Sequence, residues 1–341
     1  MNERLHNNYD FLRLFAAICV SFTHSFNQPG TNYIEPLYYC TAGRITFSEL
    51  GLIIFFSISG YLITKSAISS TSLKNYFWKR LLRIQPLLIS VCILTVFFVG
   101  PFFTTLTLRE YFSNFSTWSY FRNIFPLTGI QFTLPGVFSD YQGERGVNGS
   151  LWTLILEERL YLLLGLIIFL PKFRKSLLYL VVGLFNIGYL VNIIFQQNLL
   201  PYASTIAGFY TILFLNASAI FLLGFNFSKK ITVYTIISLL LFLLSLVYPF
   251  FVFLQLYSVP VLVISIAQIK CFTNKTGKYG DFTYGIYLFS FPIQQILRSV
   301  NFFKENPYKL FFMTLIIVIP MAILSWYLLE KKAQNVKDVV K

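Results

Sequence analysis

Long apolar runs separated by short polar connections fill almost the whole chain. Each run is about 17 to 22 residues long, the length that a helix needs to cross about 30 Å of hydrocarbon at 1.5 Å per residue. Strands of a membrane barrel would instead alternate polar and apolar positions over about ten residues. The pattern predicts an all-α, polytopic integral membrane protein with about ten transmembrane helices, at 10–27, 47–65, 83–101, 150–170, 176–195, 208–226, 231–248, 250–269, 281–299 and 309–329.

The composition agrees with a chain that lies in lipid. Of the 341 residues, 56% are hydrophobic and 12% are charged, whereas a soluble domain carries roughly 25% charged residues. So little polar surface cannot cover a large water-soluble core. We therefore expect a single transmembrane domain over residues 1–341, with one long connection at about 102–149 and no fused soluble domain.

Basic residues occupy every second connection. They lie at Lys65 to Arg83, at Lys172 to Lys175, at Lys229 and Lys230, at Lys270 to Lys278, and in the tail from Lys331. The positive-inside rule places these segments and both termini in the cytoplasm, which requires an even number of spans. The net charge of +14 then reflects topology and not a nucleic-acid surface. The long connection faces the other side, as a functional element or as a poorly ordered tether.

Ionisable side chains inside the predicted spans are rare, and each costs a few kcal/mol or more. They are Asp10, Arg13, His24, Glu157, Glu158, Arg159 and Glu330. His24 is the plausible histidine base, because the other histidine, His6, lies in a polar tail. Arg13 and His24 are eleven residues apart, almost three helical turns, so we expect one face of the first span to carry both.

Glu157 and His24 are predicted to lie at a similar depth, toward the outer surface. A carboxylate beside an imidazole fixes its tautomer and raises its basicity. We therefore expect the two to form a pair that takes a proton from a hydroxyl. An alternative stays open, in which Glu157 pairs with Arg159 or with an arginine of the outer loop, and His24 caps a helix end.

Two further segments carry weaker signals. Ser59 and Gly60 in the second span allow either close packing of helices or a backbone lining for a ligand. Arg80 and Arg83 lie one turn apart at the cytoplasmic surface. Paired guanidiniums there bind a phosphate or, alternatively, anchor the helix beside anionic lipid.

Several motifs in the right order resemble the membrane-bound acyltransferase 3 family, whose members O-acylate bacterial surface polysaccharides and related glycoconjugates. The motifs run from Tyr9 through Arg13 to His24, from Phe55 to Thr64, from Arg80 to Pro86, from Ser150 to Tyr161, from Tyr284 to Ile293, and from Ser325 to Lys331. The chain departs from the family at Ser290, where many members have a histidine. A second imidazole is therefore not required here.

The resemblance implies acyl transfer from acyl-CoA, expected to be acetyl-CoA, without a permanently bound cofactor or a metal. Its motifs suggest roles for individual residues: His24 and Glu157 in catalysis; Arg13, Arg80 and Arg83 in donor binding; and Asp10, Ser59, Gly60, Trp152 and Tyr161 in support. Ser59, Tyr161 or Arg13 would stabilise the tetrahedral oxyanion, although the position of Arg13 at the cytoplasmic end of its span suits a partner of CoA or of Asp10 better. Direct transfer and an acyl-histidine intermediate both fit these residues.

We expect an O-acetyltransferase of the bacterial inner (cytoplasmic) membrane. Its acceptor would be a hydroxyl of a surface polysaccharide, such as O-antigen, or of a lipid-linked glycan, and its other contacts would be membrane lipids, with no nucleic acid. A transporter of acyl groups or glycolipid is the alternative, since intramembrane charges also mark transport paths. The sequence leaves the oligomeric state open.

Overall fold

The chain is helical throughout the part that the computed structural model describes, apart from connections and one isolated bridge between Thr104 and Val137. The described residues are 7–27, 33–139, 146–195, 200–225, 227, 230–269, 272–299 and 306–337. This confirms the all-α class. The long helices in these ranges are α1 Tyr9–Phe26, α2 Phe47–Ile68, α3 Leu73–Phe103, α4 Trp152–Ile168, α5 Arg174–Phe195, α6 Ile206–Leu222, α7 Ile231–Val247, α8 Phe250–Gln268, α9 Thr283–Arg298 and α10 Pro307–Asn335.

Each predicted span coincides with one of these helices. Five of them, α2, α3, α5, α8 and α10, are long and apolar enough to cross a membrane, and α6 and α7 are apolar but shorter. The structure thus supports several membrane crossings. Ten spans and the cytoplasmic termini stay predictions.

The start of α3 differs from the predicted span at 83–101. The helix begins at Leu73, because the Ser72 hydroxyl accepts a hydrogen bond from the backbone N–H of Asn75 at 3.1 Å and so caps the first turn. The basic residues up to Arg83 are therefore helical and not part of a loop. Hydropathy identifies only the apolar length of a helix, so it missed these first turns.

Two long helices contain a π-helical turn, at Thr95–Val99 in α3 and at Trp326–Glu330 in α10. Such a turn adds one residue to the helical repeat and is frequent at functional sites. The second turn ends on Glu330, whose side chain is fully buried.

The connection after α3 is folded over residues 104–139 and is not an extended tether. It begins with a capping box in which Thr107 and Glu110 exchange hydrogen bonds at the start of the short helix Leu108–Ser113. These bonds lower the pKa of the Glu110 carboxyl. The Tyr111 hydroxyl then donates to the Val96 carbonyl at 3.0 Å, which fixes this helix to the end of α3.

The residues group into two compact units, and α1, α3 and α4 each contribute to both. The first unit comprises Met1–Ala16, Pro36–Tyr76 and Leu160–Tyr279, and the second comprises Ala17–Glu35, Phe77–Arg159 and Gly280–Lys341. The expectation of a single transmembrane domain over 1–341 stays a prediction.

The first unit is built around the contact of α2 with α6. Gly60 lies so close to α6 that a Cβ at this position would overlap the backbone carbonyl of Phe214. The Ser218 hydroxyl donates to the Gly60 carbonyl at 3.1 Å, and the ring of Phe56 stacks on that of Tyr210 at 5.2 Å. Gly60 therefore serves close packing, one of the two roles predicted for it.

The second unit is built around α9. Its Gly285 lies against Ala322 of α10, where a Cβ would come within 2.8 Å of the Ala322 backbone. Polar side chains of α9 also bond to the end of α1, through Gln294, and to the segment that leads into α4, through Tyr287. This helix consequently holds the residues of the candidate site.

We predict that Gly60→Ala lowers the free energy of unfolding by about 1–3 kcal/mol, because a rigid backbone carbonyl blocks the added methyl group. The measurement is the thermal unfolding midpoint of the purified protein in detergent. Gly183→Ala in α5 is the matched control, since a Cβ there meets nothing within 4 Å, and it should keep or slightly raise the midpoint. Equal midpoints for the two variants would show that this helix contact is not tight.

Candidate functional site

Polar and aromatic residues on one face of α9 organise the candidate site in the second unit. Tyr284, Tyr287, Phe291 and Gln294 follow one another at steps of three or four residues, which places them on one side of a helix. The Gln294 amide donates to the carbonyl oxygen of Ser21 at 2.8 Å. This bond holds the last turns of α1, and with them His24, against α9.

His24 lies in the last turn of α1 and is half-buried. Its ring meets the ring of Phe291 edge-on at 5.1 Å between centroids. Nδ1 is buried without a hydrogen-bond partner among the residues that the structure describes. The imidazole therefore has a buried nitrogen that bonds to none of the described residues, and a general base needs such an available nitrogen.

The turn around His24 is fixed by its neighbours. The hydroxyl of Thr23 donates to Oε1 of the buried Glu35 at 2.9 Å, and the hydroxyl of Ser25 donates to the Phe22 carbonyl at 2.6 Å. Glu35 was not among the predicted site residues, because it lies outside the apolar runs. Its hydrogen bond fixes the backbone next to His24.

Glu157 is buried on α4, one turn after Thr153. The hydroxyls of Thr153 and Tyr287 are 2.7 Å apart, and the Tyr287 hydroxyl also lies 3.0 Å from the Ser150 carbonyl, to which it donates. Tyr284 and Tyr287 both have the acidic side chain of Glu157 as a neighbour. Glu157 of α4 thus lies near the face of α9 that carries Tyr284 and Tyr287, here called the tyrosine face.

The expected pairing of Glu157 with His24 is not found among the described residues. In the described part of the chain, Nδ1 of His24 has no hydrogen-bond partner, and the imidazole ring contacts Phe291. The reason lies along α9: His24 meets it at Phe291, four residues beyond Tyr287 and seven beyond Tyr284, or about one and two helical turns. The similar depth that the sequence predicts for the two residues therefore does not imply contact between their side chains.

The two arginines of α3 have different surroundings. Arg83 forms an ion pair with Asp281 at 2.7 Å, and the two side chains are only 27% and 12% exposed. The buried Glu330 has both as charged neighbours and accepts a hydrogen bond from the Ser325 hydroxyl at 3.1 Å. Arg83 is therefore the counter-charge of nearby acids, while Arg80 is half-buried one turn earlier.

Sequence reasoning missed Asp281, Tyr284 and Tyr287 as a group. The hydroxyl of Tyr284 donates to the Ile84 carbonyl at 3.1 Å, so α9 contacts α3 directly beside Arg83. The spacing of polar positions along 284, 287 and 294 was the signal that identifies this face. Trp152, the first residue of α4, is half-buried in the same unit.

The other predicted site residues lie in the first unit. Arg13 pairs with Asp10 at 3.5 Å within α1, and the backbone of Gly277 closely approaches the Asp10 carboxylate. Ser59 is buried beside Gly60 in α2. Tyr161 is buried, and its carbonyl accepts a hydrogen bond from the Tyr76 hydroxyl at 3.0 Å.

We predict that Arg83→Gln lowers the free energy of unfolding by about 1–3 kcal/mol, because it leaves the shielded Asp281 without its charged partner. Adding Asp281→Asn should restore part of the loss, since it removes the carboxylate that Arg83 binds directly, while Glu330 still lacks its basic neighbour. Thermal unfolding midpoints of the two single variants and the double variant measure this. If the loss in the double variant equals the sum of the losses in the two single variants, Arg83 is not the counter-charge of Asp281.

The comparisons with known proteins agree with this chemistry. A family model described as an acyltransferase domain, that of acyltransferase 3, matches residues 6–330. The chain is 29% identical over 341 residues to the O-acetyl transferase of Shigella phage Sf6, which covers 96% of this chain and 95% of the relative. It is 35% identical over 211 residues to Nodulation protein 10 of Rhizobium leguminosarum bv. viciae, which covers 59% of this chain and 56% of that protein. No solved structure matches the chain significantly.

The family model spans nearly the whole chain and includes both His24 and Glu330. With the apolar helices, it confirms the predictions of an enzyme that transfers acyl groups and of a multi-pass membrane protein. The chain belongs to the acyltransferase 3 family.

Proposed function

We propose that the protein is an O-acetyltransferase of the bacterial inner membrane, which moves the acetyl group of acetyl-CoA, or another acyl group, to a hydroxyl of a glycan. The observation that carries the proposal is the buried Nδ1 of His24, which has no partner among the described residues. The similarity to a phage O-acetyl transferase over 96% of the chain favours acetyl as the transferred group.

His24 is the base in the proposed reaction. It takes the proton of the acceptor hydroxyl while the hydroxyl oxygen bonds to the thioester carbon. The carbon–sulfur bond then breaks, and the thiolate of CoA leaves with the proton that His24 had accepted. The same atoms balance if the acyl group first bonds to His24 and is then passed to the hydroxyl.

Glu157 supports this reaction from the tyrosine face of α9 and not through a bond to His24. Its neighbours Tyr284 and Tyr287 lie on the same helix face as Phe291, which contacts His24. A substitution at Glu157 would therefore affect His24 by changing the position of α9. In this role Glu157 is a positioning residue.

Arg80 is the proposed ligand of the donor's phosphates in the second unit. A guanidinium binds a phosphate through two parallel hydrogen bonds. Arg83 is less suited, because Asp281 already occupies it at 2.7 Å. Arg13, paired with Asp10 at 3.5 Å, is a further candidate for donor binding.

The proposed acceptor is a surface polysaccharide, such as O-antigen, or a lipid-linked sugar. Its identity can be read from the carbohydrate itself. NMR spectra of the host's surface polysaccharide, with and without this gene, would differ by the acetyl signals of one hydroxyl position.

We predict that His24→Ala lowers kcat/KM at least about 100-fold, because a positioned general base contributes about 10²–10⁴-fold. The measurement is release of free CoA by the purified protein given acetyl-CoA and de-O-acetylated host polysaccharide. His6→Ala removes the other histidine and should keep the activity. Undiminished CoA release by a His24→Ala protein that accumulates normally would exclude His24 as the base.

We predict that Arg80→Gln raises the KM for acetyl-CoA about tenfold with little change in kcat, since a charge-assisted hydrogen bond contributes about 1.5–3 kcal/mol. Lys79→Gln, which removes the adjacent cation, is the matched control. If both variants keep the KM of the native protein, Arg80 serves membrane anchoring, the alternative that the sequence leaves open.

Transport of acyl groups or glycolipid is the second candidate function, because charged groups such as Glu157 and Glu330 are buried in apolar helices. The CoA-release assay in detergent separates the two. Transport requires a sealed membrane, whereas an enzyme turns over in solution. Release of CoA that depends on the acceptor therefore excludes a protein that only transports.

A further inference from the structure

The segment at residues 104–133, here called the aromatic module, presents large apolar rings at its surface. It contains the short helices Leu108–Ser113, Phe115–Ser119 and Tyr120–Ile124. Phe115 is 82% exposed, Phe125 is 62% exposed and Trp118 is 46% exposed. If these rings faced water, each Å² of exposed apolar area would cost about 25 cal/mol of free energy. A folded segment with this surface indicates an apolar neighbour.

The module continues the surface of a helix that is suited to cross a membrane. Phe97, in the π-helical turn of α3, lies 6.0 Å from the ring of Trp118, 6.1 Å from Phe112 and 6.3 Å from Phe121. At the same end of α3, Phe98 and Phe102 are exposed. If α3 crosses the membrane, these rings face lipid, and the same apolar surface extends without a break onto the module.

Several polar groups of the module bond to one another, as irregular backbone at an apolar boundary requires. The amide of Gln131 donates to the carbonyls of Ser116 and Thr133 at 2.7 and 2.9 Å. Asn123 and Gln131 exchange two further bonds of 2.8 Å. The indole N–H of Trp118 donates to the Phe112 carbonyl at 2.7 Å, so the exposed part of this side chain is apolar.

We propose that the aromatic module lies in the membrane interface beside the end of α3, with Phe115, Trp118 and Phe125 at the boundary between lipid head groups and acyl chains. Aromatic rings concentrate at this depth in membrane proteins. A glycan is less suited to this surface, because the Trp118 N–H that would bind a sugar hydroxyl already bonds within the module.

The module is tied to the candidate site. The backbone N–H of Leu127 donates to Oε2 of Glu158 at 3.1 Å, next to Glu157 on α4. Anchoring the module in the interface therefore fixes the depth of the first turns of α4. This consequence holds whether or not the proposed acetyl transfer is correct.

Fluorescence quenching by brominated lipids tests the proposal. The native protein and Trp118→Phe are each reconstituted in phosphatidylethanolamine–phosphatidylglycerol vesicles containing phosphatidylcholine brominated either near the head group or near the chain ends. The difference between the two proteins gives the signal of Trp118. We expect bromines near the head group to remove about half of that signal, and bromines near the chain ends to remove less.

Trp326→Phe is the matched control, because Trp326 is buried and packs edge-on against Phe282 at 6.5 Å. The difference between the native protein and Trp326→Phe gives the signal of Trp326, and this signal should change little with either brominated lipid. A Trp118 signal that acrylamide quenches and neither brominated lipid reduces would overturn the proposal. So would a signal that responds to added host polysaccharide and not to brominated lipid. A nitroxide spin label at position 115, read for its depth by exposure to oxygen, measures the same property without removing a tryptophan.

Discussion

The polar face of α9 is the constraint on which the second unit depends. In an apolar bundle, hydrogen bonds and ion pairs must be satisfied within the protein, because lipid offers no alternative partners. Along this one face, Gln294 bonds to Ser21 of α1, Tyr287 bonds to the segment that leads into α4, and Tyr284 bonds to Ile84 of α3. These bonds fix the rotation of α9, and that rotation in turn places Phe291 against His24.

The same constraint distributes charge along α9. Asp281 and Arg83 lie at one end, and His24 meets the helix ten residues later, about 15 Å away by helical rise. Asp281 and Arg83 form an ion pair near Tyr284, whereas the ring of His24 contacts the ring of Phe291. The imidazole of His24 and the ion pair of Arg83 with Asp281 thus lie at different positions along one helix. This separation suits a base that must accept a proton without a permanent ionic partner.

The sequence predicted the helices well because their signal is local. Each apolar run coincides with a helix, and Gly60 performs the close packing that its position allows. The start of α3 was missed because the hydrogen bond of Ser72, and not hydropathy, sets it. The pairing of His24 with Glu157 is not found among the described residues for a different reason: charge and topology predict the depth of a residue but not the direction in which its side chain points. The role of Asp281 depends on contact with Arg83, which lies 198 positions away in the chain.

The π-helical turn at Trp326–Glu330 has a consequence for the length of α10. The extra residue in this turn rotates everything after it by about 100° relative to a regular α-helix. Losing one residue there would leave a continuous, equally apolar helix, yet Lys331–Asn335 would turn to another side, and Glu330 would lose its place next to Ser325. Exchanging one apolar residue for another would thus disturb this helix less than removing one residue from the turn.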